Sequence, residues 1–285
     1  MTGQAPRTGG RLFVLPARPL PHPQRHLAIL AYDGTDFCGW QVQPRGRSIQ
    51  GEFERALKKL TGHHARAHAS GRTDAGVHAR EQPVHFDLSV RFDPARLMLG
   101  LNALLPNDIR VLSVRLVSPG FHARYSCTEK EYRYFILNRP VPDPCLRRHR
   151  LWEHAPLDVA AMAAAARRLV GRHDFAAFAA NPNREVSGTV RNLTRLDVHR
   201  RGPEVTIVAV ADGFLYRMVR SLAGFLLRVG RGELPPEAAD EILRGSIRTA
   251  RVPTAPPQGL FLWRVRYPPA AFRAAAAGPI ASPPP

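Results

Sequence analysis

Gly71-Arg72-Thr73-Asp74-Ala75-Gly76-Val77-His78-Ala79 is the stretch around which the rest of the chain is ordered. One carboxylate stands between glycines, with a guanidinium two residues before it. Glycine tolerates backbone angles that other residues resist, and Asp closes turns through its own side chain. Taken alone, the segment therefore reads as a tight turn that lifts a side chain out of a loop. After it, Val84, Phe86 and Leu88 alternate with His85 and Asp87, the pattern of a strand with one buried face. Before it, a short strand is expected near Ala65–Ala69.

Further out, Leu27–Tyr32 is an apolar strand closed by Asp33-Gly34. Ile49, Phe53, Ala56, Leu57 and Leu60 recur at helical spacing and predict a helix over Ile49–Leu60, stopped by Gly62. Asp93-Pro94 combines an N-cap with proline at the first helical position and starts a helix to about Leu104; Ile109–Leu116 is again a strand. The order is β-α-β-β-α-β, that of ferredoxin-like folds. The second half repeats the order without repeating the sequence. It has a strand Tyr132–Leu137, an alanine-rich helix over 158–170 and strands over 190–199 and 205–211. A helix over about 215–229, a shorter one over 236–244 and a closing strand Leu260–Arg266 follow. The expected class is α+β, with two ferredoxin-like lobes whose largely antiparallel sheets surround a central basic cleft. Residues 26–118 would form the lobe that carries Asp74, and residues 119–267 the other. Residues 1–25, rich in proline and arginine, and residues 268–285, ending Ser282-Pro283-Pro284-Pro285, are expected to be disordered tails.

Composition narrows the function. No apolar run approaches the roughly 18 residues of a membrane helix. The N-terminus offers only Leu12-Phe13-Val14-Leu15, which is no signal peptide, so a cytoplasmic protein is expected. Cys38, Cys127 and Cys145 are far apart and read as reduced thiols. The net charge is +18, and all but three of the 41 basic residues are arginine. A GC-rich codon bias would produce this, as it would the alanine runs. Guanidinium forks also match phosphate oxygens and stack on bases, so nucleic acid is the expected partner. The tails hold only five of the arginines, which leaves most of the excess in the folded middle.

On the helix from Leu215, Leu215, Met218, Val219, Leu222, Phe225, Leu226 and Val229 share an apolar face, opposite Arg217, Arg220, Arg228 and Arg231. That polar side is either solvated or a rail for phosphates, with one arginine free to pair with Asp74. Tyr132 and Tyr134 lie on one face of their strand, as core residues or as stacking platforms for unstacked bases. A phosphate loop, a dinucleotide fingerprint and His-Glu-x-x-His are all missing, and His63-His64 has no matching ligand cluster. The chemistry is expected to need neither nucleotide cofactor nor metal.

The nonamer resembles the active-site motif of the tRNA pseudouridine synthase A family. Further anchors follow in order: Tyr32-Asp33-Gly34, Gly39-Trp40-Gln41, Ser48-Ile49-Gln50, Gly100-Leu101-Asn102-Ala103-Leu104-Leu105-Pro106, Phe121-His122-Ala123-Arg124, Tyr132-Arg133-Tyr134, Met218-Val219-Arg220 and Gly259-Leu260-Phe261-Leu262. The resemblance covers almost all of residues 27–267 and departs at Phe37-Cys38, where the family favours tyrosine. It implies an isomerase that detaches uracil from C1′, rotates it and rejoins it through C5, at positions 38, 39 and 40 of the tRNA anticodon stem-loop, on a flipped-out base. It implies Asp74 as the essential aspartate, attacking the nucleoside or removing a ribose proton. Arg220 would be the cation that keeps that carboxylate ionised. Arg72 would engage the RNA, Tyr132 would pack against the flipped base, and Leu260, with Leu262, would line the pocket. It implies no cofactor, tRNA as substrate and a homodimer in which one tRNA touches both subunits. An RNA-binding module without catalysis would have no use for Asp74 in a phosphate-lined groove. A nucleoside or glycoside hydrolase would need a second carboxylate, and none is identifiable.

Overall fold

Ser48 opens the first helix by accepting a hydrogen bond from the Gly51 N–H, and Gly62, at φ 75°, ends it by returning its own N–H to Lys58. Asp93 caps the next helix on the Arg96 N–H with proline in the first turn, and Asp158 caps the third on the Ala161 N–H. These local signals delimit the elements of the computed structural model, which describes residues 19–180 and 188–272. The first half contains β1 (Pro19–Tyr32), α1 (Ile49–Thr61), β2 (His68–Ala69), β3 (His78–Val90), α2 (Pro94–Leu104) and β4 (Ile109–Leu116). The second contains β5 (Glu129–Asn138), β6 (Leu151–Glu153), α3 (Val159–Leu169), β7 (Gly171–Asp174), β8 (Val190–Arg201), β9 (Glu204–Ala211), α4 (Met218–Gly230), α5 (Ala238–Gly245) and β10 (Leu260–Arg266).

The strands form one sheet in the order β4-β1-β3-β10-β5-β9-β8-β7, with β2 on β3 and β6 on β5. Only β10–β3 and β5–β6 are parallel, so the fold is mixed α+β with a large, mostly antiparallel sheet. β10 joins the halves: it runs antiparallel to β5 and parallel to β3, with Phe261 opposite His78 and Leu262 opposite Ala79. The period of two in β3 sorts its side chains as expected. Val84, Phe86 and Leu88 face the helices, where Phe86 meets Phe53 of α1 at 5.5 Å between ring centroids. His85 faces the other way, against Phe121. One buried cluster takes Phe53 and Phe86 from the first half and Tyr134, Phe178 and Phe225 from the second. Each such side chain contributes about 1.5–3 kcal/mol on leaving water, so the two halves share their stabilisation.

The tail boundaries are corrected. Residues 19–25, expected to be disordered, begin β1, where Gln24 pairs with Leu88 and Pro19 with Val90. Leu20 is their one aliphatic side chain besides the prolines, but Arg25 anchors them by forking Asp87 with two 2.8 Å bonds and donating to the carbonyls of Pro119 and Phe121. Pro269–Phe272 forms a 3₁₀ turn whose Phe272 packs on Phe121 and under the Arg115 guanidinium. The remainder of both expected tails, residues 1–18 and 273–285, lies outside the described residues. The short strand near Ala65–Ala69 shrinks to the two residues of β2, and β6 and β7 were not expected.

Candidate active site

The loop after β2 is held from beneath by buried polar groups. Ser70 donates its hydroxyl to Gln82 Oε1 at 2.6 Å, and Gln82 donates to the Gly71 carbonyl at 2.8 Å. Lys130 Nζ donates to the Ser70 carbonyl at 2.7 Å, and burial lowers its pKa. The Tyr32 hydroxyl, pushed up to about 12 by burial, lies 2.9 Å from Thr73 Oγ1. A satisfied buried network of this kind fixes one loop conformation. Backbone approach does the rest. The Trp40 N–H donates to the Thr73 carbonyl at 3.0 Å. Gly39 sits at φ 104°, and a Cβ there would lie 2.6 Å from the Thr73 carbonyl oxygen, so only glycine lets the segments meet.

Asp74 emerges from this loop into the first turn of α4. Arg220 Nη1 donates to Asp74 Oδ2 at 3.0 Å, with the two side chains 11% and 21% exposed. The guanidinium is itself tied down, because Arg220 Nε donates to the Ala255 carbonyl at 2.8 Å. Arg217 Nε stands 3.7 Å from the same carboxylate oxygen. Two cations and the positive end of a helix thus face one carboxylate. Arg217 adopts φ 56° and ψ 14°, a left-handed conformation uncommon for a residue other than glycine, directly beside the site.

Tyr132 closes another side. Its ring meets Phe214 edge-on at 5.1 Å, and burial, then Tyr32 and Asp74, raise its hydroxyl well above the usual range. In register, Tyr132 lies opposite Leu262 and Tyr134 opposite Leu260, so these four side chains share one face. The structure therefore brings Asp74, Arg220 and Tyr132 together with Leu260 and Leu262 behind them. Arg72 is exposed and makes no ion pair among the described residues. The expected guanidinium rail divides: Arg217 and Arg220 face Asp74, whereas Arg228 pairs with Glu233 at 2.7 Å and Arg231 with Glu153. Arg217 shows in the sequence through its i,i+3 spacing to Arg220. Gln82 and Lys130 carry no such local signal.

Two groups among the described residues each bring together three side chains of metal-ligating type, which the sequence spacing did not suggest: Asp33, His78 and His149, and His68, His85 and His122. In the first, His78 Nε2 bonds the Gln258 carbonyl at 3.2 Å and Nδ1 accepts the Gly34 N–H at 3.0 Å, so neither nitrogen keeps a lone pair for a metal. That group borders a cavity of about 270 Å³ with Arg80, Arg110 and Phe261, which does not include Asp74.

A family model described as tRNA pseudouridine synthase matches residues 28–126 and 165–268. The chain belongs to the tRNA pseudouridine synthase family. The tRNA pseudouridine synthase A of Moorella thermoacetica is 47% identical over 242 residues, 84% of this chain and 97% of that one. Its counterpart in Brevibacillus brevis is 45% identical over 246 residues (86% and 100%), and that of Maridesulfovibrio salexigens 42% over 246 residues (86% and 90%). The first segment matched to the family holds Arg72 and Asp74 and the second Arg220 and Leu260, while Tyr132 falls between the two.

Proposed function

We propose that the chain isomerises uridine to pseudouridine in the anticodon stem-loop of tRNA, just 3′ of the anticodon, with Asp74 as its catalytic carboxylate. The observation that carries this reading is the Asp74–Arg220 pair: a carboxylate paired with a fixed guanidinium at the tip of a glycine-bracketed loop, in a chain of net charge +18. The reaction breaks the C1′–N1 bond and forms C1′–C5, consumes no water and needs no cofactor. Asp74 acts at the sugar, as nucleophile or as base toward a ribose proton, and either role needs the anion. The target base leaves its stack at a cost of a few kcal/mol. Tyr132, over Leu260 and Leu262, receives it with a stacking contribution of about 1–3 kcal/mol, and Arg72 holds the backbone it leaves.

We further infer two ferredoxin-like lobes, residues 26–118 and 119–267, about a basic cleft. Supporting this, the four strands of each unit stand in the same order, β4-β1-β3-β2 in one and β10-β5-β9-β8 in the other. A cytoplasmic homodimer in which one tRNA touches both subunits completes the proposal; no described helix is long and apolar enough to cross a membrane.

Pseudouridine mapping on tRNA incubated with the purified protein tests the reading. Modification is expected just 3′ of the anticodon with wild type, and none with Asp74→Asn, whose tRNA binding stays largely intact. Modification confined to another stem, or near-wild-type turnover by Asp74→Asn, would overturn it.

A further inference from the structure

We propose that His68, His85 and His122 form a phosphate-binding pocket for the RNA backbone beside the catalytic loop; the identity of that RNA rests on the tRNA reading above. His68 of β2 lies opposite His85 of β3, their rings stacked at 4.9 Å. His122 packs against His85 at 4.5 Å, and one ring nitrogen from each of the three lies within 4.8 Å of the others.

Such a trio invites a metal, but its protons argue for an anion. His85 Nδ1 accepts the Ala123 N–H at 3.2 Å, and His122 Nδ1 accepts the N–H groups of Arg124 and Tyr125 at 3.1 and 3.3 Å. A neutral imidazole has one nitrogen lone pair, and in both rings it is spent on the backbone, so each carries its proton on Nε2. Two of the three residues therefore present donors where a metal would need lone pairs.

The surroundings have the same preference. Burial, reinforced by Arg25 and Arg66 around His68 and by Arg25 and Arg124 around His122, lowers these imidazoles and keeps them neutral. Two carboxylates act on His68: Asp87 is neutralised by the fork of Arg25, and Glu54 accepts hydrogen bonds from the Gln50 amide and the Ala67 N–H. Arg66 and Arg124 are exposed and make no ion pair among the described residues. Convergent N–H donors beside two guanidiniums without a carboxylate partner among the described residues, that of Arg124 lying 5.6 Å over the Tyr125 ring, suit a phosphodiester oxygen. Tyr125, 76% exposed and 4.3 Å from the His122 ring, offers a platform for the adjoining base. His68 and Asp74 are six positions apart, a span of at most about 20 Å, so a strand entering the catalytic loop passes within reach.

The test is the affinity of the full-length protein for a tRNA transcript as a function of salt, comparing wild type with the double variant His68→Ala/Arg124→Gln. The expected result is a Kd raised about tenfold, a salt slope reduced by about one, and an unchanged turnover at saturating tRNA. Wild-type Kd and slope in the variant would overturn the pocket. So would stoichiometric zinc binding that His68→Ala abolishes. Inorganic phosphate that shifts the imidazole resonances, while the variant keeps wild-type tRNA affinity, would make this a free-anion site and likewise overturn the proposal. Raised Kd in the variant with no pseudouridine formed even by wild type would sustain the pocket and sink the enzymatic reading instead.

Discussion

Arg220 reaches Asp74 across 146 positions of sequence, donating Nη1 to Oδ2 at 3.0 Å while its Nε is held by the Ala255 carbonyl. Because one donor is spent on the backbone, the cation is in place before any substrate arrives. The carboxylate meets a fixed charge rather than a mobile one, which is the arrangement that lowers reorganisation during a reaction.

Arg220→Ala removes that charge and leaves the Ala255 carbonyl without its donor. Turnover should fall by about a hundred-fold or more, with tRNA affinity changed by no more than about threefold. Stability should fall by about 1–3 kcal/mol, below the range for fully buried pairs because both side chains retain some exposure. Arg220→Lys keeps the charge without the fork and should be intermediate. Single-turnover kinetics and denaturant unfolding read both effects; wild-type turnover in Arg220→Ala would show the pair to be incidental.

Arg217→Gly separates strain from function. The left-handed backbone at Arg217 costs roughly 1 kcal/mol for a side-chain-bearing residue, and glycine removes that cost. The variant should melt at the same temperature or higher, yet turn over about tenfold more slowly for want of the second cation near Asp74. A lower melting temperature together with full activity would contradict both halves of the argument.

Gly39→Ala tests the close approach beneath the catalytic loop. Its Cβ would have to lie 2.6 Å from the Thr73 carbonyl, at a φ that alanine resists. The loop must shift, and a displacement of even about 1 Å can cost a hundred-fold in rate. Loss of activity with a melting temperature lowered by several degrees is expected in calorimetry and mapping; normal turnover would show the loop to be adaptable.

His85 supplies a pH dependence. Burial, then His122 and Arg25, push its pKa down to about 3, against an ordinary value near 6.5 in the unfolded chain. Between those values the unfolded state binds a proton that the folded state refuses, so stability is present above about pH 6.5 and is lost as pH falls. The loss from this group should be about 2 kcal/mol between pH 6.5 and 5. Denaturant unfolding at the two pH values measures it. His85→Gln, which does not titrate, should flatten that slope, and an identical slope in the variant would refute the assignment.

What the sequence alone determined about this protein is what local rules reach. The cap at Asp93, the alternation through Val84, Phe86 and Leu88, and the apolar helical face from Met218 to Val229 each depend on a few neighbouring residues, and each recurs in the structure, although the helix expected from Leu215 begins at Met218. The nonamer around Asp74 likewise marked the candidate site, since its glycines and carboxylate are contiguous. Only the tertiary structure decided which arginines of α4 serve Asp74 and which pair elsewhere, because that depends on how α4 sits against a loop from the other half. It also decided that β10 crosses to β3, that β1 begins at Pro19, and that three histidines distant in sequence meet on the outer face of the sheet. Backbone sterics and side-chain period act over a turn or a few strand residues. Partners far apart in sequence are chosen by sheet register and core packing, which exist only once the chain has closed on itself.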